Sequence, residues 1–222
     1  GGGYIGLEMG TVYAELGSQV SVVELTDGLL PGADRDLVKP LHKRVKGLFE
    51  AIRLNTKVVG LKDVGNGVEV SFEGPDGETT ETFSRVLVAV GRRPNSDGIG
   101  LENTNVVIDP KGFVEVDKQQ RTGDAHIFAI GDVCGEPMLA HRASHQGKVA
   151  VESLHGEPAM FDPRAIPAVV FTDPEIAWAG LTEQEAELSG REVEVSRYPW
   201  AARGRAHALG RIEGITKILV DH

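Results

Sequence analysis

A chain of 222 residues is long enough for a sizeable core and for more than one domain. Its 41% hydrophobic and 25% charged residues are ordinary for a water-soluble globular protein, and a net charge of −10 argues against a nucleic-acid surface. No apolar run approaches the roughly 20 residues of a membrane span, the opening is not a signal peptide, and the single cysteine, Cys134, points to a reducing compartment such as a bacterial cytosol or an organelle matrix.

The chain opens on Gly1-Gly-Gly-Tyr-Ile-Gly6, which carries G-x-G-x-x-G at Gly1, Gly3 and Gly6. In a dinucleotide-binding turn the first glycine permits the tight strand-to-helix turn. The second lets backbone approach a pyrophosphate, and the third lets the helix pack on the sheet. Alone the pattern is weak among 28 glycines; its context strengthens it. Residues 7–16 suit an amphipathic helix that Gly17 would cap. Gln19–Leu25 then reads as a strand carrying Glu24, about 20 residues past the turn, where a Rossmann unit places its ribose acceptor. The strand that should precede the turn is absent, so the motif is expected to begin midway.

After a loop, Asp34 is expected to cap a helix over residues 35–50, whose Leu37, Leu41, Val45 and Leu48 share one face. Pro40 lies inside it and predicts a kink or a late start. Residues 54–90 change to a period of two. Lys57–Leu61 and Val68–Phe72 flank Asn66-Gly67, a strong hairpin signal. Pro75-Asp76-Gly77 marks a second turn before Thr79–Phe83. Val86–Val90 reads as a continuous apolar strand buried on both faces. These elements make a nucleotide-binding α/β domain ending near residue 95.

Residues 96–125 read as loops with a short strand at Phe113–Val116, followed by an apolar strand over Ile127–Val133 that contains Gly131-Asp132. Residues 142–155 suit a helix with Ala143, Val149, Val151 and Leu154 as its apolar positions. From Ile166 the character changes again. Strands are expected at Pro167–Phe171 and Ile176–Ala179, a capping box at Thr182 and Glu185, and strands at Val193–Tyr198 and Ile215–Val220. The sequence ends at Asp221-His222 in what reads as a strand.

Six stretches together resemble the pyridine nucleotide–disulfide oxidoreductases, in particular their dihydrolipoyl-oxidising branch. They are Gly1–Gly10, Leu54–Val58, Val90–Asn95, Ile127–Asp132, Pro137–His141 and Pro174–Gly180. The resemblance implies α/β architecture in three parts: a Rossmann-type NAD-binding domain over 1–95, a segment of the FAD-binding domain over 96–165, and the start of an α+β dimerisation domain over 166–222. It implies NAD and FAD as cofactors, a homodimer, and reoxidation of dihydrolipoyl groups on the lipoyl domains of 2-oxoacid dehydrogenase complexes. It places NAD on Gly1, Gly3, Gly6 and Glu24, with Val58 and Gly91 flanking it and Glu8 near the nicotinamide. It places the flavin ribityl chain on Asp132 and the flavin ring beside the backbone of Met138, Leu139, Ala140 and His141. The redox cysteine pair and the His–Glu pair of such enzymes are expected outside this chain, which should then be catalytically silent and poorly folded alone.

Each residue also has a plainer reading. Glu24 could be a solvated acid at a strand end, Glu8 a helix-face acid and Asp132 a cap. An acid at position 24 favours NAD over NADP, whose 2′-phosphate would call for arginine. His141 and His145 are four apart but lack an apparent third ligand, so no metal is expected. Cys134 reads as packing, Trp178 and Trp200 as core or interface, and Arg92 and Arg93 as surface or interdomain residues. Sibling reductases acting on glutathione or mercuric ion, a transhydrogenase, and a non-catalytic cofactor-binding subunit remain alternatives.

Overall fold

The computed structural model describes residues 1–221 and divides them into two compact units. One is Gly1–Val90 with the segment from Pro167 onward; the other is Gly91–Ile166.

In the first unit, helix α1 (Tyr4–Glu15) leads to strand β1 (Ser21–Val23), helix α2 (Arg35–Leu48) and strand β2 (Ala51–Arg53). β1 and β2 pair in parallel, Val22 opposite Ile52, as a strand–helix–strand crossover requires. Gly17 takes a φ of +93° just beyond α1, so it ends the helix as expected. α2 starts on time at Arg35 and runs through Pro40. The proline forfeits one backbone bond, but Val38, Leu41 and Val45 are buried in the core with Leu7, Val22, Leu29 and Phe49. At about 1.5–3 kcal/mol for each fully buried aliphatic side chain, that packing outweighs an interior proline at ~3 kcal/mol. Leu37 and Leu48 sit at the edge of this core, so the buried face is rotated from the one expected.

Strands β3 (Lys57–Asp63), β4 (Val68–Gly74) and β5 (Gly77–Phe83) form an antiparallel meander. The β3–β4 turn differs from the expected Asn-Gly hairpin. Gly65 is its left-handed residue, at φ +85°, and its N–H donates to Asp63 Oδ1 at 2.7 Å. Gly77 takes a φ of +99° after Pro75-Asp76, as the second turn requires.

The expected strand at Val86–Val90 does not form. Its backbone joins no ladder among the described residues, and Val86, Leu87, Val88 and Val90 are exposed. Apolar β-branched residues favour extended backbone, but a strand also needs a neighbour for its N–H and C=O groups.

The remainder of the first unit contains the antiparallel pair β6 (Ala168–Val170) and β7 (Ile176–Trp178), helix α4 (Glu183–Ser189), strand β8 (Val193–Pro199), helix α5 (Gly204–Ala208) and strand β9 (Ile215–Asp221). Val170 and Ile176 join the core cluster and Trp178 packs against it. β8 and β9 pair antiparallel, and Trp200, more exposed, donates from Nε1 to Thr216 Oγ1 at 2.9 Å. The expected capping box is present, since the Glu185 N–H donates to Thr182 Oγ1 while Glu185 accepts from the Thr182 N–H. His222 lies outside the described residues.

The second unit has one long helix, α3 (Ala140–Leu154), set against loops. The strands expected at Phe113–Val116 and Ile127–Val133 reduce to single bridges, Ile108 with Val114 and Arg121 with Phe128. Glycine at 131, with φ +77°, turns the second run into a 3-10 helix at Gly131–Cys134 before a ladder can extend. α3 also buries a different face from the expected one. Val151 and Leu154 are exposed, whereas Arg142, Gln146, Val149, Ala150 and Ser153 are buried. That stripe has helical spacing but mixed polarity.

Candidate cofactor sites

The glycine turn is closed by close approach. A Cβ on Gly1 would lie 2.0 Å from the Ala89 carbonyl oxygen, and one on Gly6 would lie 1.9 Å from the Gly1 carbonyl oxygen. Neither position accepts a larger residue without displacing backbone. Gly3, the α1 N-cap residue, has nothing within 4 Å of that direction, so open space lies beside the helix start. The first N–H groups of α1 have no intrahelical partner and, with the helix dipole, suit a phosphate.

Glu24 belongs to this turn. Its side chain is buried, with the residue 9% exposed. Oε2 accepts from the Gly2 N–H at 2.6 Å, and Oε1 accepts from the Thr26 N–H and hydroxyl at 2.9 Å each. Burial alone would push its carboxyl up. The hydrogen bonds from Thr26 and Gly2 outweigh it and hold the carboxyl below its usual range. An ionised carboxylate has about four acceptor positions, so the three bonds leave capacity for a ligand hydroxyl. Glu8, one turn farther along α1, accepts from the Phe171 N–H at 2.8 Å. Val58 is half-exposed on β3 beside a register shift between Val58 and Gly60. Thus Gly1, Gly3, Gly6 and Glu24 converge, while Glu8 is engaged by the segment that follows Pro167.

In the second unit Gly91 has a φ of +129°, and the next residue, Arg92, donates to Asp132 Oδ2 at 2.9 Å and also to the Met138 carbonyl. Asp132 thereby joins Met138 rather than merely capping a segment; its side chain stays 46% exposed and retains acceptor capacity. Leu139 is the N-cap of α3, with Ala140 and His141 opening the helix. From inside α3, Gln146 Oε1 accepts from the Gly131 N–H at 2.8 Å and Arg142 donates to the Gly131 carbonyl. The Cys134 thiol packs on the same turn, 3.2 Å from the Gly131 carbonyl, and burial pushes its pKa up, away from thiolate chemistry. The sequence reading missed Arg92, Arg142 and Gln146. The spacing of 142, 146, 149, 150 and 153 on one helical face was the available signal for the last two.

A further ionic cluster lies where α2 and α4 begin. Asp34 does not cap α2 with its side chain. Its carboxylate instead accepts from the Glu183 N–H at 3.1 Å and pairs with Lys217 Nζ at 2.8 Å. The Lys217 side chain, 3% exposed, also binds Asp36 at 2.7 Å and Glu183, and Arg197 donates to the same two carboxylates at 2.8 and 2.6 Å. The three carboxylates offer oxygens within 4.8 Å of one another, but an ammonium already sits among them. A cavity of about 700 Å³ runs past Asp34, Pro40, Trp178, Trp200, Thr216 and Lys217, none of them residues to which the sequence assigns a cofactor.

Residues 1–147 match the family described as pyridine nucleotide-disulphide oxidoreductase, and residues 166–222 match the dimerisation domain of the same family. Among curated relatives, the chain is 49% identical over 222 residues to dihydrolipoyl dehydrogenase of Vibrio parahaemolyticus, covering 100% of this chain and 46% of that one. It is 42% identical over 221 residues to dihydrolipoyl dehydrogenase of Bacillus subtilis, covering 99% and 47%. The chain therefore spans about half the length of the curated relatives it matches. Among solved structures it superposes on the HOCl-induced flavoprotein disulfide reductase RclA from Escherichia coli with a TM-score of 0.88 at 30% identity, covering 100% of this chain and 50% of that one. LpdA from Mycobacterium tuberculosis gives the same TM-score and identity, over 99% and 48%. Fold, order of segments and sequence agree: the chain belongs to the pyridine nucleotide-disulphide oxidoreductases.

Proposed function

We propose that this chain supplies residues 1–95 as the NAD-binding segment, 96–165 as part of the FAD-binding segment and 166–222 as the start of the dimerisation segment of a flavin disulfide oxidoreductase. The proposed reaction is reoxidation of protein-bound dihydrolipoyl groups, with electrons passing through a disulfide and FAD to NAD. The partners are lipoyl domains of 2-oxoacid dehydrogenase complexes and a second copy of the protein, in a bacterial cytosol or organelle matrix. Relatives at 41–49% identity named dihydrolipoyl dehydrogenase favour this substrate over those of the sibling reductases.

The observation that carries the reading is the buried Glu24 carboxylate bonded to the glycine turn, with space open beside Gly3. Gly1 and Gly6 allow the turn to close, and the α1 N–H groups and Gly3 accommodate the pyrophosphate. Glu24 accepts the adenine-ribose hydroxyls, Val58 and Gly91 flank the nucleotide, and Glu8 orients the nicotinamide end. Asp132 accepts from the ribityl chain, and the backbone of Met138, Leu139, Ala140 and His141 rims the flavin ring. When bound, the two cofactors supply the electron and hydride transfer; the chain's residues orient them and keep acceptors where hydroxyls arrive. The redox thiols and the proton-handling pair are assigned elsewhere in the enzyme, so no catalytic residue is assigned here.

Titrating the full-length enzyme and its Glu24→Arg variant with NAD and NADP tests the reading. Loss of ribose hydrogen bonds worth roughly 0.5–1.5 kcal/mol each should weaken NAD about tenfold, with NADP weakened less. Unchanged NAD affinity would remove Glu24 from the site.

A further inference from the structure

Arg142 is a cation that the proposed chemistry leaves unused. It is only 7% exposed, yet it forms no ion pair with any carboxylate among the described residues. Its guanidinium faces backbone oxygens instead. Nη1 donates to the carbonyls of Gly131 at 3.4 Å, Pro137 at 3.4 Å and Gly135, and Nη2 donates to that of Cys134 at 3.5 Å. The Phe161 ring covers it, with Cζ 6.0 Å from the centroid. Carbonyl dipoles solvate a guanidinium without cancelling its charge, and an arginine does not lose its proton in a protein. A whole positive charge in the interior is costly unless something opposes it.

The loop that Arg142 gathers is the one carrying the proposed flavin contacts. By drawing four carbonyls inward from residues 131–137, Arg142 sets the path between Asp132 and Met138. Arg92 holds the same two residues from the other end. We infer that Arg142 is a positioning residue for the flavin and a determinant of its reduction potential. It shapes the 131–138 loop so that Asp132 and the backbone from Met138 stay available, and its uncancelled charge favours the more negatively charged reduced flavin. The inference rests on the proposed placement of FAD at this loop. Local charge and hydrogen bonding are general levers on a cofactor's potential.

The full-length holoenzyme tests it through Arg142→Gln and Arg142→Met, both neutral, and Arg142→Lys, which keeps the charge. Bound flavin is read from the flavin-to-protein absorbance ratio, and the midpoint potential from a dye-coupled redox titration. The expected result is several-fold lower flavin retention and a more negative potential in the neutral variants, with both restored toward wild type in Arg142→Lys. A wild-type potential in either folded neutral variant overturns the inference. So does a result in which Arg142→Lys folds and neither neutral variant does, since that marks a purely structural arginine. Asp132→Ala, measured alongside, separates the two readings. Full flavin in that variant sinks the placement of FAD at this loop, whereas flavin loss there with an unmoved potential in Arg142→Gln sinks only the role of Arg142.

Discussion

Glu24 and Asp132 each follow an apolar run, yet the two acids are held in opposite ways. Glu24 is buried and bound by neutral donors, the Gly2 N–H and the Thr26 N–H and hydroxyl. Asp132 is nearly half exposed and bound by a cation, Arg92, forty residues earlier in the chain. Neutral donors at short range make Glu24 part of the turn itself, so its geometry and charge state belong to the local fold. An exposed ion pair is a looser restraint, screened by salt and contributing little to stability. The same residue chemistry, a carboxylate, thus sits in a rigid setting in one unit and a more yielding one in the other.

The largest effect is expected where burial and charge coincide. The Lys217 side chain is buried but satisfies its acids with charge, so Lys217→Met takes the cation away from the buried Asp34 carboxylate, while Asp36 and Glu183 keep Arg197. Breaking a buried pair in this way costs about 3–5 kcal/mol, and denaturant unfolding of the full-length protein would read it. A loss under ~1 kcal/mol would show that burial adds nothing to an ion pair here and would break the contrast.

Glu24→Ala comes next. It leaves the buried Gly2 N–H without its acceptor, a cost of about 1–3 kcal/mol, and it should weaken NAD at the same time. Unfolding and nucleotide titration on one preparation would show whether the two effects move together. Undiminished stability would mean that the turn does not depend on the carboxylate.

Asp132→Ala is expected to divide the two properties. Removing an exposed pair should change stability by at most ~1 kcal/mol, while flavin retained through purification should fall clearly. Stability lost in proportion to flavin would make Asp132 as structural as Glu24.

The smallest effect is on pH dependence. The Glu24 carboxyl is lowered in the fold, so its contribution is present above the ordinary glutamate value of about 4.3. It is lost as pH falls through the lower folded value. Asp36 and Glu183, lowered by Lys217 and Arg197 against the penalty of burial, should fade over the same acid range. Lys217 behaves oppositely. Burial would lower its pKa, but Asp34, Asp36 and Glu183 raise it, so its contribution is complete below about 10.4 and disappears only as pH rises through the higher folded value. Stability measured against pH should therefore be flat through neutrality and decline first on the acid side. An early alkaline decline would contradict this assignment.

The sequence by itself determined whatever depends on near neighbours along the chain. The glycine turn, α1 with its Gly17 stop, the β3–β5 meander and the capping box at Thr182 all follow from local spacing, because the helix stop and the cap close within a few residues and the meander pairs strands that are consecutive in the chain. Glu24 was legible for a related reason: strand β1 returns it to a turn whose glycines announce their own geometry. Family membership was legible too, since six stretches in one order carry more information than any single motif. Tertiary structure decided what depends on distant partners. The apolar run at 86–90 had the composition of a strand but joins no ladder among the described residues, and Gly131 turned the run at 127–133 before it could join one. Asp34 had a cap's position and gave its carboxylate to Lys217 instead. Arg92 reads as a surface or interdomain residue until Asp132 is brought to it. Arg142 and Gln146 read as the polar side of a helix until the loop carbonyls and N–H they serve are folded against them, because a polar group's burial is set by the partners that satisfy it rather than by its own hydropathy.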